Sequence, residues 1–253
     1  MMKGQSKVVD STCEILSCFS HDCDEIGVNA LAKKLGMYPS KIHRILTSLV
    51  KNGFLEKNPK TKKYRVGLRL FEMGLLFPLH SELRKIIRPH ALELGKSFGT
   101  NVQLGILSKF DPRSVVVIDR ILNLNTDSAV LRIYSNVPLH ASSVGKALLA
   151  FSNEDVLEEI LSKIELERFT DHTIVDKEVL REEIREVRKK GYATDEGETV
   201  PNLYCIGAPI IGDQGVLAGI SVSDTPEKII QNKGRIISRI LKISEYISYQ
   251  LGT

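Results

Sequence analysis

Apolar residues at Val9, Cys13, Leu16 and Phe19, and again at Val28, Leu31, Ala32 and Leu35, recur at helical spacing and predict two short amphipathic helices. A third is predicted from about Pro39 to Asn52, where Ile42, Ile45, Leu46, Leu49 and Val50 form one apolar stripe. Ser40, Lys41, His43, Arg44, Thr47, Ser48 and Lys51 are left for its other faces. Gly36 can take the left-handed conformation that ends a helix, and Pro39 suits the first turn of the next one. Ala32, Gly36, Ile42 and Ile45 together have the spacing of a helix-turn-helix, because two helices that cross steeply need a small residue at the contact and a glycine at the corner. Gly53 closes the third helix. Phe54-Leu55-Glu56 then reads as a strand, Asn58-Pro59-Lys60-Thr61 as a turn and Lys63-Tyr64-Arg65-Val66 as a returning strand, which makes a wing.

Beyond the wing, Leu83, Ile87, Leu94 and Phe98 predict a helical connector over residues 81–98, kinked or interrupted at Pro89. Strand-like runs follow at Val102 to Leu107, Val115 to Ile121, Val130 to Tyr134, Leu203 to Ile211 and Val216 to Ser223. Helices are predicted between and after them, at Ala141 to Phe151, at Asn153 to Lys163 with an Asn cap, at Lys177 to Lys190 and at Pro226 to Leu251. The pattern predicts an α+β second domain built on an antiparallel sheet. The expected division is a winged helix-turn-helix over residues 1–78, a helical linker over 79–98 and a second domain over 99–253. In the last helix Ile229, Ile236, Ile240, Ile243 and Ile247 form a seam that suits a core as well as an oligomer interface.

The net charge of +4 over 253 residues becomes informative when it is split. Residues 1–77 hold 13 Lys/Arg and 7 Asp/Glu, net +6, while residues 78–253 hold 22 and 24, net −2. Residues 33–69 carry eleven bases and one acid, Glu56, so net +10 falls within 37 residues. Such density on periodic structure points to a polyanionic partner. Lys60, Lys62 and Lys63, with Lys57, suit the wing to phosphates or a minor groove. Tyr38, Pro39, Ser40, Lys41, His43, Arg44, Thr47 and Lys51 offer the third helix to base edges and backbone in a major groove of double-stranded DNA. The alternative is a winged helix used for protein contacts.

No stretch approaches the roughly 18 apolar residues that span a bilayer, and Met1 to Val9 lacks the apolar core of a signal peptide, so the expectation is a cytoplasmic protein with no membrane partner. Cys13, Cys18, Cys23 and Cys205 are too few and too unevenly placed for a disulfide framework. His140 to Lys146 reads as a loop entering a helix whose first turn holds Ser142, Ser143 and Gly145; its free N–H groups and dipole suit a carboxylate, and the alternative is capping and tight packing by small residues. Val144-Gly145-Lys146-Ala147 is similar to part of a phosphate-binding loop, but the upstream glycine and the Ser/Thr after Lys146 are missing. An enzyme built on Cys205, His140 and Asp195 has the residue types without a surrounding nucleophile signature. A redox or metal sensor built on Cys13, Cys18, His21 and Cys23 has spacing unlike Cys-x-x-Cys zinc sites. The reading is a protein with no catalytic residue, no metal and no cofactor.

The whole pattern resembles the isocitrate-lyase-regulator (IclR) family of bacterial transcription factors. The residues that carry the resemblance are Leu31 to Gly36 with Pro39 to Leu46, Tyr64-Arg65-Val66-Gly67, Pro138 to Ala150, Gly191-Tyr192-Ala193 to Asp195, Cys205 to Pro209, and Ile220 to Ser223. The resemblance implies a winged helix joined by a helix to a GAF-like effector domain. It implies a one-component regulator that binds operator DNA as a dimer or tetramer and responds to a small-molecule effector, expected to be an organic acid. Position by position it places the effector at Ser143 and Val144, beside Ser142, and at Asp195, Cys205, Ser221 and Ser223. Ser221 and Ser223 are two apart on a strand and share a face, whose alternative role is a polar outer surface. Asp195 also suits a turn, and Cys205 a small buried hydrophobe. The chain departs from the family pattern at Tyr134, Asn136 and Gly197, which bears on the effector's identity, and at Asn202 in place of Gly, a mild change because Asn tolerates the left-handed region.

Overall fold

The apolar stripes of the first three helices meet one another. In this computed structural model, which describes residues 6–19, 24–77, 82–108, 111, 113–123 and 136–251, α1 is Lys7–Leu16, α2 Val28–Leu35 and α3 Pro39–Lys51. Ile15, Leu31, Ala32, Ile42, Ile45, Leu46 and Leu49 are buried together with Leu55 and Tyr64 of the wing. Gly36 ends α2 at φ +64, a conformation that a Cβ would strain although nothing crowds it. Two antiparallel strands, β1 (Leu55–Lys57) and β2 (Tyr64–Val66), form the wing, with Leu55 opposite Val66. The first strand starts one residue later than its apolar run, because the Phe54 N–H donates to the Leu49 carbonyl and closes the preceding helix. Ile26 adds an antiparallel bridge to Tyr64 that the hydrophobic pattern did not reveal. A short helix, α4 (Leu68–Gly74), was also not anticipated. It follows Gly67, where a Cβ would lie 2.3 Å from the Gly53 carbonyl oxygen.

Two compact units divide the chain, Met1–His80 and Ser81–Thr253. The second begins with α5 (Glu82–Phe98), which runs unbroken through Pro89 instead of being interrupted there. Burial of Ile87, Ala91 and Leu94 on both sides of the proline offsets the missing backbone bond. Among the described residues six antiparallel strands follow: β3 (Asn101–Leu107), β4 (Ser114–Ile121), β5 (Asn136–Pro138), β6 (Ala193–Glu196), β7 (Tyr204–Gly212) and β8 (Gly215–Asp224), in the order β5-β4-β3-β8-β7-β6. The strand expected over residues 130–134 lies outside the described residues, as does Tyr134.

Alternation along the strands splits the sheet into two unlike faces. Val102, Leu104, Ile206, Ala208, Ile220 and Val222 pack with α5 and with α9 (Pro226–Leu251). Ile229, Ile236, Ile240, Ile243 and Ile247 all sit in this cluster, so the seam of the last helix belongs to its own core. The other face meets α6 (Ser143–Ala150), which in turn packs with α7 (Glu154–Lys163) and α8 (Lys177–Lys190). Asn153 stands at the N-cap position of α7 but its side chain makes no capping bond, contrary to expectation; two acids in the first turn satisfy the helix dipole instead. Asp176 does cap α8, accepting from the Glu178 and Val179 N–H groups.

Candidate functional site: a nucleic-acid face and a buried polar cluster

On α3 the buried stripe leaves Ser40, Arg44, Thr47 and Lys51 exposed along one side of the helix, with Pro39 and His43 beside them. Tyr38, just before the helix, is 80% exposed. Lys41 differs from the other candidates in being half-buried, and its Nζ donates to Ser11 Oγ of α1 at 2.6 Å. That bond ties α3 to α1, a role the charge count could not reveal. Lys60, Lys62 and Lys63 are exposed at the wing tip. Asn58 Oδ1 accepts from the Lys60 and Thr61 N–H groups at 2.9 and 3.2 Å, while Asn58 Nδ2 and Thr61 Oγ1 donate to the two oxygens of Glu25. These bonds hold the Glu25 carboxyl below its ordinary range. Lys62 takes φ +60, so the tip is a defined turn that holds its bases outward.

In the second unit the register brings the expected effector residues together. Asp195, Cys205, Ser223 and Asn101 stand side by side across β6, β7, β8 and β3. The next row on the same face is Ala193, Gly207, Ser221 and Gln103. Ser221 and Ser223 are buried, so they are not an outer polar surface. The α6 helix lands on this face through glycines. A Cβ on Gly207 would lie 2.8 Å from the Ser143 carbonyl, and one on Gly219 would lie 2.7 Å from a Val144 methyl. The start of α6 therefore rests directly above Gly207, next to Ser221.

Ser142 caps α6. Its Oγ donates to the Pro138 carbonyl at 2.6 Å and accepts from the Gly145 N–H at 3.1 Å. The Ser143 and Val144 N–H groups fall in the first turn, where a helix offers no internal acceptor. Among the described residues, Ser143 Oγ and Ser221 Oγ are buried side-chain atoms without a hydrogen-bond partner. A buried hydroxyl left unmatched costs about 1–3 kcal/mol, which a ligand would recover.

Asp195 is engaged with the following turn. Its Oδ1 accepts from the Glu198 N–H at 2.7 Å and its Oδ2 from the Thr199 hydroxyl at 2.6 Å. Burial raises its carboxyl, and burial together with Asp195 pushes the Cys205 thiol up. A raised thiol is the reverse of an activated nucleophile. His140 does not complete a triad: its Nε2 bonds to the Glu167 carbonyl at 3.0 Å, its ring stacks on Phe169, and burial lowers its pKa. As for the metal reading, Cys13 is exposed and Cys18 buried, while His21 and Cys23 lie outside the described residues. Among the described residues no group of three or more His, Cys, Asp or Glu side chains is placed to hold a metal.

In the sequence Lys146 belongs only to an incomplete phosphate loop; in the structure it turns inward. Its buried Nζ donates to Glu198 Oε1 at 2.5 Å and lies 3.4 Å from Glu183 Oε1. Thr170 and Thr173 hydroxyls donate to the Gly197 and Glu198 carbonyls, each at 2.7 Å, and fix that turn from its other side. Burial outweighs the attraction of Lys146 and pushes the Glu198 carboxyl up to about 7. A raised carboxyl contributes its stability in full below its ordinary value of 4.5 and loses it as pH rises through about 7. The unsubstituted chain is therefore expected to lose thermal stability relative to Glu198→Gln between about pH 5 and 8. Melting curves of both proteins across that range test this, and a gain over the same window contradicts it.

Comparisons with known proteins cover both units. The sequence profile described as the bacterial transcriptional regulator IclR C-terminal domain matches residues 79–249, and that of the IclR helix-turn-helix domain matches residues 8–59. The chain is 28% identical over 245 residues to the HTH-type transcriptional regulator XynR of Escherichia coli (strain K12), covering 92% of this chain and 96% of that one. It is 34% identical over 221 residues to the HTH-type transcriptional regulator BhcR of Paracoccus denitrificans (strain Pd 1222), covering 87% and 78%. Its structure is similar to that of an IclR homolog from Microbacterium hydrocarbonoxydans complexed with 4-hydroxybenzoate, with TM-score 0.72, 25% identity and coverage of 97% and 99%.

Proposed function

The chain belongs to the IclR family of regulators, which join a helix-turn-helix DNA-binding domain to a C-terminal effector-binding domain, and on that premise we propose how its residues divide the work. Residues 1–78 are the DNA-binding domain, 79–98 the connector and 99–253 the effector domain. Arg44, with Tyr38, Pro39, Ser40, His43, Thr47 and Lys51, contacts operator DNA along α3, and Lys60, Lys62 and Lys63 contact it from the wing. Lys41 serves this face by holding α3 on α1. The effector is a small carboxylate received at the Ser143 and Val144 N–H groups and by Ser221, with Cys205 and Ser223 lining the floor. Asp195 acts by fixing the turn that carries Glu198.

The observation that carries this assignment is the pair of buried hydroxyls of Ser143 and Ser221, both beside Gly207 and without a partner among the described residues. The relative bound to 4-hydroxybenzoate supports an organic acid as the ligand class. A two-fold operator requires at least a dimer, whose assembly into a tetramer is compatible with the same operator geometry. With the α9 seam consumed by its own core, self-association is supported instead by the exposed Leu68, Phe71 and Met73 of α4 and by Leu75, Leu76 and Phe77 after it. The protein works in the cytoplasm, where its DNA is, and carries out no catalysis. In the test, the double variant Ser143→Ala with Ser221→Ala is expected to keep effector-free DNA binding within about twofold and to weaken the effector response at least about tenfold. An unchanged response in a folded variant refutes the pocket assignment.

A further inference from the structure

The polar face of the second unit extends past the residues just assigned. Gln103 lies opposite Ser221, and on the next strand Arg120 lies opposite Gln103. Arg120 Nη2 donates to Gln103 Oε1 at 3.2 Å, so the guanidinium leans from β4 toward β3. Strand alternation puts Arg120 on the α6-facing side, whereas its neighbour Asp119 faces the other way and forms ion pairs with Arg88 at 2.6 Å and Arg84 at 3.1 Å on α5. The pocket face thus carries hydrogen-bond donors at both ends: the start of α6 above Gly207 at one, and a guanidinium at the other. Burial lowers the pKa of Arg120, as expected of a cation drawn away from water.

We propose that Arg120, braced by Gln103, is a second anion anchor, so that the effector carries one carboxylate at the start of α6 and another anionic group, most simply a second carboxylate, at its far end. This rests on the pocket reading above. The geometry supports the length. Three inter-strand steps from β4 to β7 amount to about 14 Å, and the arginine side chain covers the first of them, which leaves about 10 Å between the anchors. A short linear or para-substituted aromatic diacid bridges that gap. The planar guanidinium fork matches a carboxylate with two parallel bonds, and the Gln103 amide fixes the plane in which the fork presents itself.

The test uses the full-length protein and three matched pairs of acids, succinate with butyrate, adipate with hexanoate, and terephthalate with 4-methylbenzoate, with affinities measured by calorimetry. In at least one pair the diacid is expected to bind about tenfold or more tighter than its monoacid partner. Arg120→Met should abolish that preference and leave the monoacid affinity unchanged, and Arg120→Lys should keep part of it. If Arg120→Met does not fold, Gln103→Ala takes its place and should weaken the diacid selectively. A preference that survives these variants, equal affinities in every pair, or no binding by any of the six acids overturns the proposal. Failure of the underlying pocket reading looks different: the Ser143→Ala, Ser221→Ala double variant would then bind both members of a pair as well as the unsubstituted protein does.

Discussion

Arg44→Ala is expected to weaken operator binding by about 1–3 kcal/mol, roughly five- to 150-fold, while leaving the fold intact. The intact fold follows from placement, because Arg44 is exposed and the residues that hold α3, Ile42, Ile45, Leu46 and Leu49, lie on its opposite side. The loss follows from chemistry. Arginine is the side chain best matched to the paired acceptors of guanine and to phosphate, and Arg44 occupies the middle of the exposed row formed by Ser40, Thr47 and Lys51. Two kinds of contact leave different signatures. If Arg44 reads a base, the variant accepts substitutions at one operator position; if it holds a phosphate, affinity falls evenly for all sequences and the salt slope drops by about one. Fluorescence anisotropy on an operator fragment across a salt series separates these outcomes. Unaltered affinity and slope would remove α3 as the recognition helix.

Gly145→Ala is expected to destabilise the second unit by about 3 kcal/mol or more. An alanine Cβ would sit 2.1 Å from the Leu139 carbonyl oxygen and 2.7 Å from the Leu139 carbonyl carbon and Cα. These are backbone atoms, and they are pinned: the Leu139 N–H donates to the Arg113 carbonyl at 2.9 Å and the Ser142 hydroxyl to the Pro138 carbonyl at 2.6 Å. The strain must therefore be relieved by lifting the start of α6 off the sheet. For a unit of this size the melting temperature should fall by about 6–12 °C. Effector binding should be lost with it, because Ser143 and Val144 move. DNA binding at low temperature should persist, since the first unit has its own core. Calorimetry checks the stability, and a shift under about 2 °C would contradict the close contact.

The three amphipathic helices were legible because their apolar stripes repeat over enough turns to leave no other period. α2, α8 and α9 fall within the residues that the pattern marks. Where local preference and tertiary burial compete, burial wins: α5 crosses Pro89 because its two flanks are packed on the sheet. Short elements escaped the pattern, since α4 and the Ile26 bridge are too brief to show a period. The IclR resemblance and its fold class hold. For the pocket, spacing alone could place only Ser221 and Ser223 on one face; their alignment with Asp195 and Cys205 depends on strand register. Lys146 meets Glu183 and Glu198, partners 37 and 52 residues away that no local motif connects. Asn101 and Gln103 did leave a signal. They alternate with Val102 and Leu104, the period-two mark of a strand with one polar and one apolar face.

Occupancy of the second unit is expected to control DNA binding by the first. Coupling of this kind is a free energy shared between two ligands, so it must appear in a single titration. The most direct measurement captures genomic fragments with the purified protein, then follows anisotropy of the best fragment while small organic acids, mono- and dicarboxylates among them, are added. The expected result is a discrete, roughly palindromic site whose affinity changes with one of these acids. DNA binding that is indifferent to sequence and to every acid would contradict it.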